Sequence, residues 1–283
     1  MAGLGMERAE KQHRLEFRLR ELGSVIVAYS GGVDSAYLAY AAHKVLGEKM
    51  LAIIADSASL ARSHYRDAVG FAEEHRIPLL TVETDELQRE AYAANQADRC
   101  FHCKDELFTV LEKERQRLGF TAVAYGLNTD DKKDFRPGQR AAFEHAVSAP
   151  LAEAGLAKSD IRALAQAEGL RVWDKPASAC LSSRIEYGRR VTPEALRMVE
   201  DAEESLRALG LMNFRVRHHG NIARIEIAEN EMAAALSPAT FKQMGKAVRA
   251  AGFHYVAVDC EGYRSGSMNE ILPVDMLVKA SGK

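Results

Sequence analysis

Three short stretches of this sequence hold residue types that can do chemistry. The first is "SGGVDS", residues 30–35. Gly31 and Gly32 let a backbone fold closely around an anion, and Ser30 and Ser35 add hydroxyl donors. A helix opening at that point adds aligned N–H groups and a partial positive charge, which is phosphate-binding chemistry. The spacing is neither that of a Walker A loop nor that of a dinucleotide fingerprint. The second stretch is "DRCFHCKDELF", residues 98–108, with Cys100 and Cys103; Cys180 stands apart in "KPASACLSSRI". The third is "FRVRHHG", where Arg215 and Arg217 alternate and so share one face of a strand. Two guanidiniums on one face make a fork for a phosphate or a carboxylate. Arg184 and Ser183, just after Cys180, are further candidates for the same anion.

These residues need elements that bring them together. "SVIVAYS" reads as a short buried strand, and "GGVDSAYLAYAAHKVLG" as a tight turn into a helix that stops at Gly47. "KMLAIIADS", "PLLTVET" and "FTAVAYG" read as three more strands. An amphipathic helix leads over residues 6–22, and another fills "ASLARSHYRDAVGFAEEHRI". Residues 85–97 read as helical, and a longer helix begins at or near the cysteines. Strand alternating with helix predicts an α/β fold with a doubly wound parallel sheet. In such a sheet, ligands sit outside the carboxyl ends of the strands. "SGG", "ADS" and "YGLNTDD" are therefore expected to converge.

Residues 126–150 are polar and turn-rich, and a connection that long inside a compact domain is a functional or mobile one. "AKSDIRALAQAEGL" reads as a helix capped by Ser159. After Thr192 the pattern becomes helix, strand, strand, a helix over about 239–251, and a strand in "YVAVDC". The expected division is residues 1–190 and a smaller α+β unit over 191–283.

With 283 residues, 47% hydrophobic and 28% charged, the chain can bury a core without disulfide staples. A net charge of −2 argues against bulk nucleic-acid binding. Four cysteines do not make a disulfide framework. The opening residues turn charged at once and no window nears 18 apolar residues, so neither a signal peptide nor a membrane span is expected. The expected compartment is the reducing cytoplasm.

The Cys100–Cys103 pair admits four readings. A thioredoxin-like pair follows the first strand of its fold, and this one does not. A zinc site needs four ligands, which leaves only three cysteines and a histidine such as His102. The two can also be buried spectator thiols. Last, Cys100, Cys103 and Cys180 can be three thiolates on one [4Fe–4S] cluster, leaving one iron open to bind an extra sulfide. Arg184 and Lys175 flank Cys180, and positive charge favours a thiolate. Cys260, in "YVAVDC", reads as packing. His218 and His219 read as a general base, a metal contact or a packed turn.

Ser30, Gly31, Gly32, Val33, Asp34 and Ser35 match in full the S-G-G-x-D-S pattern of the PP-loop, or N-type ATP pyrophosphatase, superfamily, which this sequence resembles. The resemblance implies an adenine nucleotide alpha hydrolase-like fold that cleaves ATP to AMP and pyrophosphate. It implies ATP contacts at Ser30, Gly31, Gly32, Asp34 and Ser35, adenosine contacts at Asp56 and Ser57, and contacts beside the phosphates at Gly126, Asn128 and Asp130. Asp34 would help hold Mg²⁺, with Asp130 or Asp131 as further carboxylates.

Longer stretches narrow the match. "YGLNTDDKKDFRPGQRAA", "APLAEAGLAKSDIRALA", "WDKPASACLSSRIEYG" and "FRVRHHGNIARIEI" resemble the LarE family, over residues from about 15 to 278. That family comprises ATP-dependent sulfur transferases that help build the nickel-pincer nucleotide cofactor of lactate racemase. The implied substrate is pyridine-3,5-biscarboxylic acid mononucleotide, a pyridinium mononucleotide that is adenylated on a carboxylate and then attacked by sulfur. Cys180, Asp34 and Ser35 become the implied catalytic residues. Arg184, Ser183, Arg215 and Arg217 become the implied contacts to the substrate phosphate or carboxylate.

Some family members carry one cysteine matching Cys180, which gives up its own sulfur, and lack the Cys-x-x-Cys pair. This chain has the pair, so it resembles the three-cysteine branch, in which a [4Fe–4S] cluster on Cys100, Cys103 and Cys180 carries the transferable sulfide. A sulfide donor and a homo-oligomer, a hexamer, are also implied. The alternatives are a PP-loop tRNA thiolase and a non-catalytic nucleotide-binding module. The net charge and the lack of a basic, aromatic-rich extension count against tRNA. A complete SGGVDS together with Cys180 counts against a mere sensor.

Overall fold

A computed structural model of the chain describes residues 2–131, 137–176, 179–264 and 266–268. Part of the turn-rich 126–150 connection, two residues before Cys180 and the end of the family resemblance lie outside the described residues.

The chain opens with α1 (Ala2–Leu22) and then enters β1 (Val25–Ala28). All four β1 residues are buried, as a strand covered on both faces requires. α2 (Val33–Leu46) carries the chain to β2 (Met50–Asp56), and α3 (Arg62–Glu74) to β3 (Leu79–Glu83). The short α4 (Glu90–Ala93) and the long α5 (Arg99–Leu118) then lead to β4 (Ala122–Tyr125). The four strands are parallel, in the order β3-β2-β1-β4. Val25, Val27, Met50, Ala52 and Ile54 pack with α1, α2 and α3 on one face. Ile26, Ala28, Ile53 and Val123 pack with Phe108 and Leu111 of α5 on the other. The helices thus cross on opposite sides of the sheet, and the switch falls between β1 and β4. That is where an open α/β sheet leaves a crevice for ligands.

After β4, Ser148 bridges to Ala124 and adds a parallel pairing at the sheet edge. α6 (Pro137–Glu144), α7 (Pro150–Glu153) and α8 (Lys158–Ala167) surround that edge. α9 (Pro193–Ala208) begins with Pro193 behind a Thr192 hydroxyl that accepts the Ala195 N–H, a complete start signal. β5 (Phe214–His219) and β6 (Ile222–Ile227) are antiparallel. α10 (Glu229–Ala235) and α11 (Pro238–Ala250) follow, and β7 (Tyr255–Val258) joins parallel to β6. Phe214, Val216, Ile225 and Ile227 pack against Leu196, Val199 and Leu206 of α9, and Leu181 and Ile185 join that core.

Four sequence expectations are corrected. Residues 85–97 are not one helix: a single 3₁₀ turn over Glu86–Gln88 and α4 replace it. Asn95 is the physical reason. It adopts φ +55° and turns its amide onto the carbonyls of Ile185, Glu186 and Arg189, so tertiary bonds override helix propensity. The N-cap of α8 is Ala157, not Ser159, because the Asp160 carboxylate takes the Ala157 N–H. Cys260 is exposed in a turn beyond β7 and does not pack. The helix of about 239–251 is preceded by α10, which was not expected.

One buried ion pair fixes the segment after Cys180 to α9. Arg184 donates from Nε to Glu203 Oε1 at 3.0 Å, and both residues are 1% exposed. Glu203 also accepts from Arg207 and from the Val216 N–H. Burial pushes the Glu203 carboxyl up, but Arg184 outweighs it and holds the group below its ordinary value. Glu203→Gln leaves a buried cation uncompensated and should cost about 3–5 kcal/mol, read as a lower urea midpoint. The double change Arg184→Met with Glu203→Leu should recover most of that loss.

Candidate active site

The turn after β1 is closed by its own serine. Ser35, in the first turn of α2, donates to the Gly32 carbonyl at 3.1 Å and accepts the Ser30 N–H at 3.1 Å. Its hydroxyl lies 3.0 Å from that of Ser30. Gly31 sits at φ +69°, and a Cβ there would lie 2.5 Å from the Ala68 Cβ of α3. Gly126 presses on the same turn from β4: a Cβ there would lie 2.8 Å from the Ser35 nitrogen. Gly32 is the N-cap of α2 and offers no side-chain cap, so the first-turn N–H groups are left for an anion.

Asp34 ion-pairs through Oδ2 with Lys158, at the start of α8. Its Oδ1 is buried with no hydrogen-bond partner among the described residues. A buried carboxylate oxygen without a donor suits a hard cation such as Mg²⁺. Lys158 lies in one of the stretches that carry the family resemblance, but its pairing with Asp34 joins residues more than a hundred apart in the chain and has no local sequence signal. Asp130 accepts the Lys158 N–H at 2.9 Å and so anchors the helix that carries this lysine. Asn128 accepts the N–H groups of Asp130 and Asp131 through Oδ1, which shapes the turn after β4. Lys175 reaches the Gly31 carbonyl at 3.3 Å and Asp67 at 3.3 Å.

At the end of β2, Asp56 ion-pairs with Arg62 at 2.7 Å, and the Ser57 hydroxyl lies 3.1 Å from that of Ser59. Ser59 donates to the buried Glu86 at 2.7 Å, while its carbonyl accepts the Leu181 N–H at 2.8 Å. This short chain links the strand end to the residue after Cys180.

Cys180 is half-buried and caps a 3₁₀ turn over Leu181–Arg184. Its sulfur lies 3.0 Å from the Ser182 hydroxyl. Burial pushes its thiol up, but the Arg99 guanidinium, the Ser182 hydroxyl and Arg184 outweigh burial and hold it below its ordinary value. The favourable charge therefore comes from Arg99 and Arg184; Lys175 points to the SGGVDS turn. Cys103 behaves oppositely: burial first, then the neighbouring Cys180, push its thiol up to about 12. Cys100 is exposed one turn earlier on α5. Among the described residues, no three Cys, His, Asp or Glu side chains are gathered to hold a metal ion.

The two arginines of β5 are engaged. Arg217 donates to Glu226 at 2.7 Å, to Ser267 at 3.1 Å and to the Ser183 carbonyl at 3.2 Å. Its Nε is buried with no hydrogen-bond partner among the described residues. Arg215 lies 4.8 Å above the Tyr263 ring; burial first, and then the charge of Arg184, push its pKa down. The Ser183 hydroxyl donates to the Cys180 carbonyl and accepts from Arg184. Ile185 bridges to His218 of β5, which places the Cys180 segment beside these arginines. His218 packs edge-on to Phe253 and accepts the Gly220 N–H, the role of a packed turn residue. His219 pairs with Glu186 at 3.1 Å. His64 of α3 escaped the sequence reading; burial, then Lys175, Arg184 and Arg207, push it down to about 4.

A parallel sheet whose first strand runs through a glycine turn into a helix, with Asp34, Asn128 and Asp130 at neighbouring strand ends, defines an adenylating ATP-dependent enzyme of the PP-loop class. The NAD synthase family model matches residues 7–184. The chain is 41% identical over 252 residues to an uncharacterized protein of Synechocystis sp., covering 89% of this chain and 94% of that one. It is 35% identical over 266 residues to the pyridinium-3,5-bisthiocarboxylic acid mononucleotide synthase of Lactiplantibacillus plantarum, covering 93% and 95%. Within the PP-loop class, the chain belongs to the LarE family.

The Gly126 contact tests the nucleotide turn. Gly126→Ala drives a Cβ into backbone that has no flexible end to yield. ATP affinity by calorimetry should fall at least about tenfold, and the urea midpoint should fall by the equivalent of about 1–3 kcal/mol of overpacking.

Proposed function

We propose that this enzyme uses ATP to activate pyridine-3,5-biscarboxylic acid mononucleotide and replaces a carboxylate oxygen with sulfur, yielding the thiocarboxylates of the nickel-pincer nucleotide. The observation that carries this reading is the 35% identity to the Lactiplantibacillus synthase along 93% of the chain. A substrate carboxylate oxygen attacks the α-phosphorus of ATP, the bond to the β-phosphate oxygen breaks, and pyrophosphate leaves. A sulfur nucleophile then adds to the carbonyl carbon of the acyl-adenylate and expels AMP.

The chain's own groups divide this work. The free N–H groups at the start of α2 take the pyrophosphate end, with Ser30 and Ser35 shaping the turn. Asp34, with one buried carboxylate oxygen unpartnered, would hold Mg²⁺, which would neutralise charge on the leaving pyrophosphate, and Lys158 beside it would add a second positive charge there. Asp56 and Ser57 border the adenosine, and Gly126, Asn128 and Asp130 wall the other side. Arg184, Arg215, Arg217 and Ser183 form the anion side for the mononucleotide. Glu203 and Glu226 hold Arg184 and Arg217 rigid, so little ordering cost remains when an anion arrives.

Cys100, Cys103 and Cys180 are the residues that would hold a [4Fe–4S] cluster. The donor chemistry fits: three thiols, two of them neighbours in charge, with the Arg99 and Arg184 cations to offset thiolates. When bound, such a cluster supplies an exchangeable sulfide, so the protein can be recharged by a sulfide donor. Among the described residues the three thiols are not gathered into a ligand set. The division into residues 1–190 for ATP and 191–283 for substrate and assembly belongs to this reading, as does a homo-hexamer.

The test is pyrophosphate release. Release should rise with the biscarboxylated mononucleotide and not with tRNA; stimulation by tRNA alone would overturn the reading in favour of a tRNA thiolase. Anaerobic reconstitution should give about four irons per chain, and Cys103→Ala should lose both iron and multiple turnover. Retention of both would remove the cluster from the proposal.

A further inference from the structure

Two buried polar residues, Asn95 and Arg99, stand outside the sets of residues proposed for ATP and for the anion. Asn95 is fully buried and holds a left-handed backbone, which a non-glycine residue keeps only where its surroundings fix it. Its Nδ2 faces the carbonyls of Glu186 and Arg189 at 2.9 Å each and that of Ile185 at 3.3 Å. Its own carbonyl accepts the Gly188 N–H at 3.0 Å. A single residue thus fastens the whole return from Ile185 to Arg189. Oδ1, the remaining polar atom, accepts from Nη1 of Arg99.

Arg99 is 3% exposed and directly precedes Cys100. The same Nη1 donates to the Ser182 carbonyl at 3.0 Å, two residues past Cys180. Its guanidinium carbon lies 5.5 Å from the Tyr187 ring centroid. These partners are all neutral: an amide oxygen, a carbonyl and a phenol ring. A buried guanidinium held by neutral groups leaves positive charge that is costly unless an anion shares the space. Arg99 therefore stands between the first turn of α5 and the Cys180 segment and bonds into both sides of the gap.

We propose that Asn95 and Arg99 form a clasp that fixes the Cys180 segment against the first turn of α5, as a positioning pair for sulfur transfer and not for adenylation. The clasp deepens the functional reading above and rests on it for the name of the transferred group. Its physical content is independent of the substrate. Asn95 sets the return loop, Arg99 ties that loop to the chain on either side of two sulfurs, and neither reaches the SGGVDS turn.

Two variants test it. Arg99→Lys keeps the charge but cannot span Asn95 and Ser182 with one planar group. Asn95→Gly accepts the left-handed backbone without strain and deletes the amide, so it removes the bonds without distorting the chain at residue 95. In both, pyrophosphate release with ATP and the mononucleotide should stay within about twofold of the parent, while thiocarboxylate formation falls at least about tenfold. Site-resolved alkylation by iodoacetamide, read by mass spectrometry on the whole chain, should speed up at Cys180 by at least about threefold relative to the exposed Cys260 as the clasped segment opens. An unchanged Cys180 to Cys260 ratio in both variants overturns the clasp. So does a parallel fall of pyrophosphate release, thiocarboxylate formation and melting temperature, which marks a merely structural contact. If the parent releases no pyrophosphate with the mononucleotide, the functional reading fails alone, and the alkylation ratio still decides the clasp.

Discussion

Parallel strands cannot be joined by a hairpin, and every consequence at this site follows from that constraint. Each crossover needs a helix, and the chain places α2 and α3 on one face of the sheet and α5 on the other. The reversal leaves β1 between β2 and β4, with three strand ends around one crevice. The turn after β1 then has walls on two sides: α3 meets Gly31, and the exit of β4 meets Ser35. Glycine at both contacts is a packing requirement before it is a binding one. The same reversal starts α5 on the far side of the sheet with the two cysteines in its opening turns, where Arg99 bonds the Ser182 carbonyl of the Cys180 segment.

Charge burial is the second organising fact. Arg99, Arg184 and Arg217 are nearly inaccessible, and a cation in that position must be answered. Glu203 answers Arg184 and Glu226 answers Arg217. Among the described residues no carboxylate bonds Arg99, whose hydrogen-bond partners are neutral. Those with carboxylates are braced by them. The one without a carboxylate places its charge beside sulfur, where it stabilises a thiolate.

The fold class was legible because its signals are local. Buried β-branched runs such as "VIVA" and the glycine turn after it are read from a few residues, and they predicted which strand ends approach each other. Where tertiary bonds decide, the pattern misled. Residues 85–97 have helical texture, yet Asn95 leaves helical space to bond carbonyls some ninety residues away. Ser159 is a good cap by type, but Asp160 is better placed. Cys260 follows an apolar run and looked packed, but the strand stops at Val258 and leaves it in a turn. Lys158, Glu203 and Arg99 had no signal as site residues, since a charged residue on a helix reads as solvated until its partner is known.

Arg215 and Arg217 show how far alternation carries an argument. Sharing a strand face correctly put them together, and it suggested an open fork. The fold changes the meaning of that face, because Ser267 and Tyr263 cover it and Glu226 takes one guanidinium from below. Arg184, Arg215 and Arg217 stand near enough for their charges to interact, with Glu203 bonding Arg184 and Glu226 bonding Arg217. Repulsion among them is what depresses Arg215 beyond the effect of burial. Under the proposed function, an arriving phosphate or carboxylate would relieve that repulsion while the carboxylates keep Arg184 and Arg217 from relaxing away, so rigidity as much as the number of donors would favour an anionic mononucleotide over a neutral ligand.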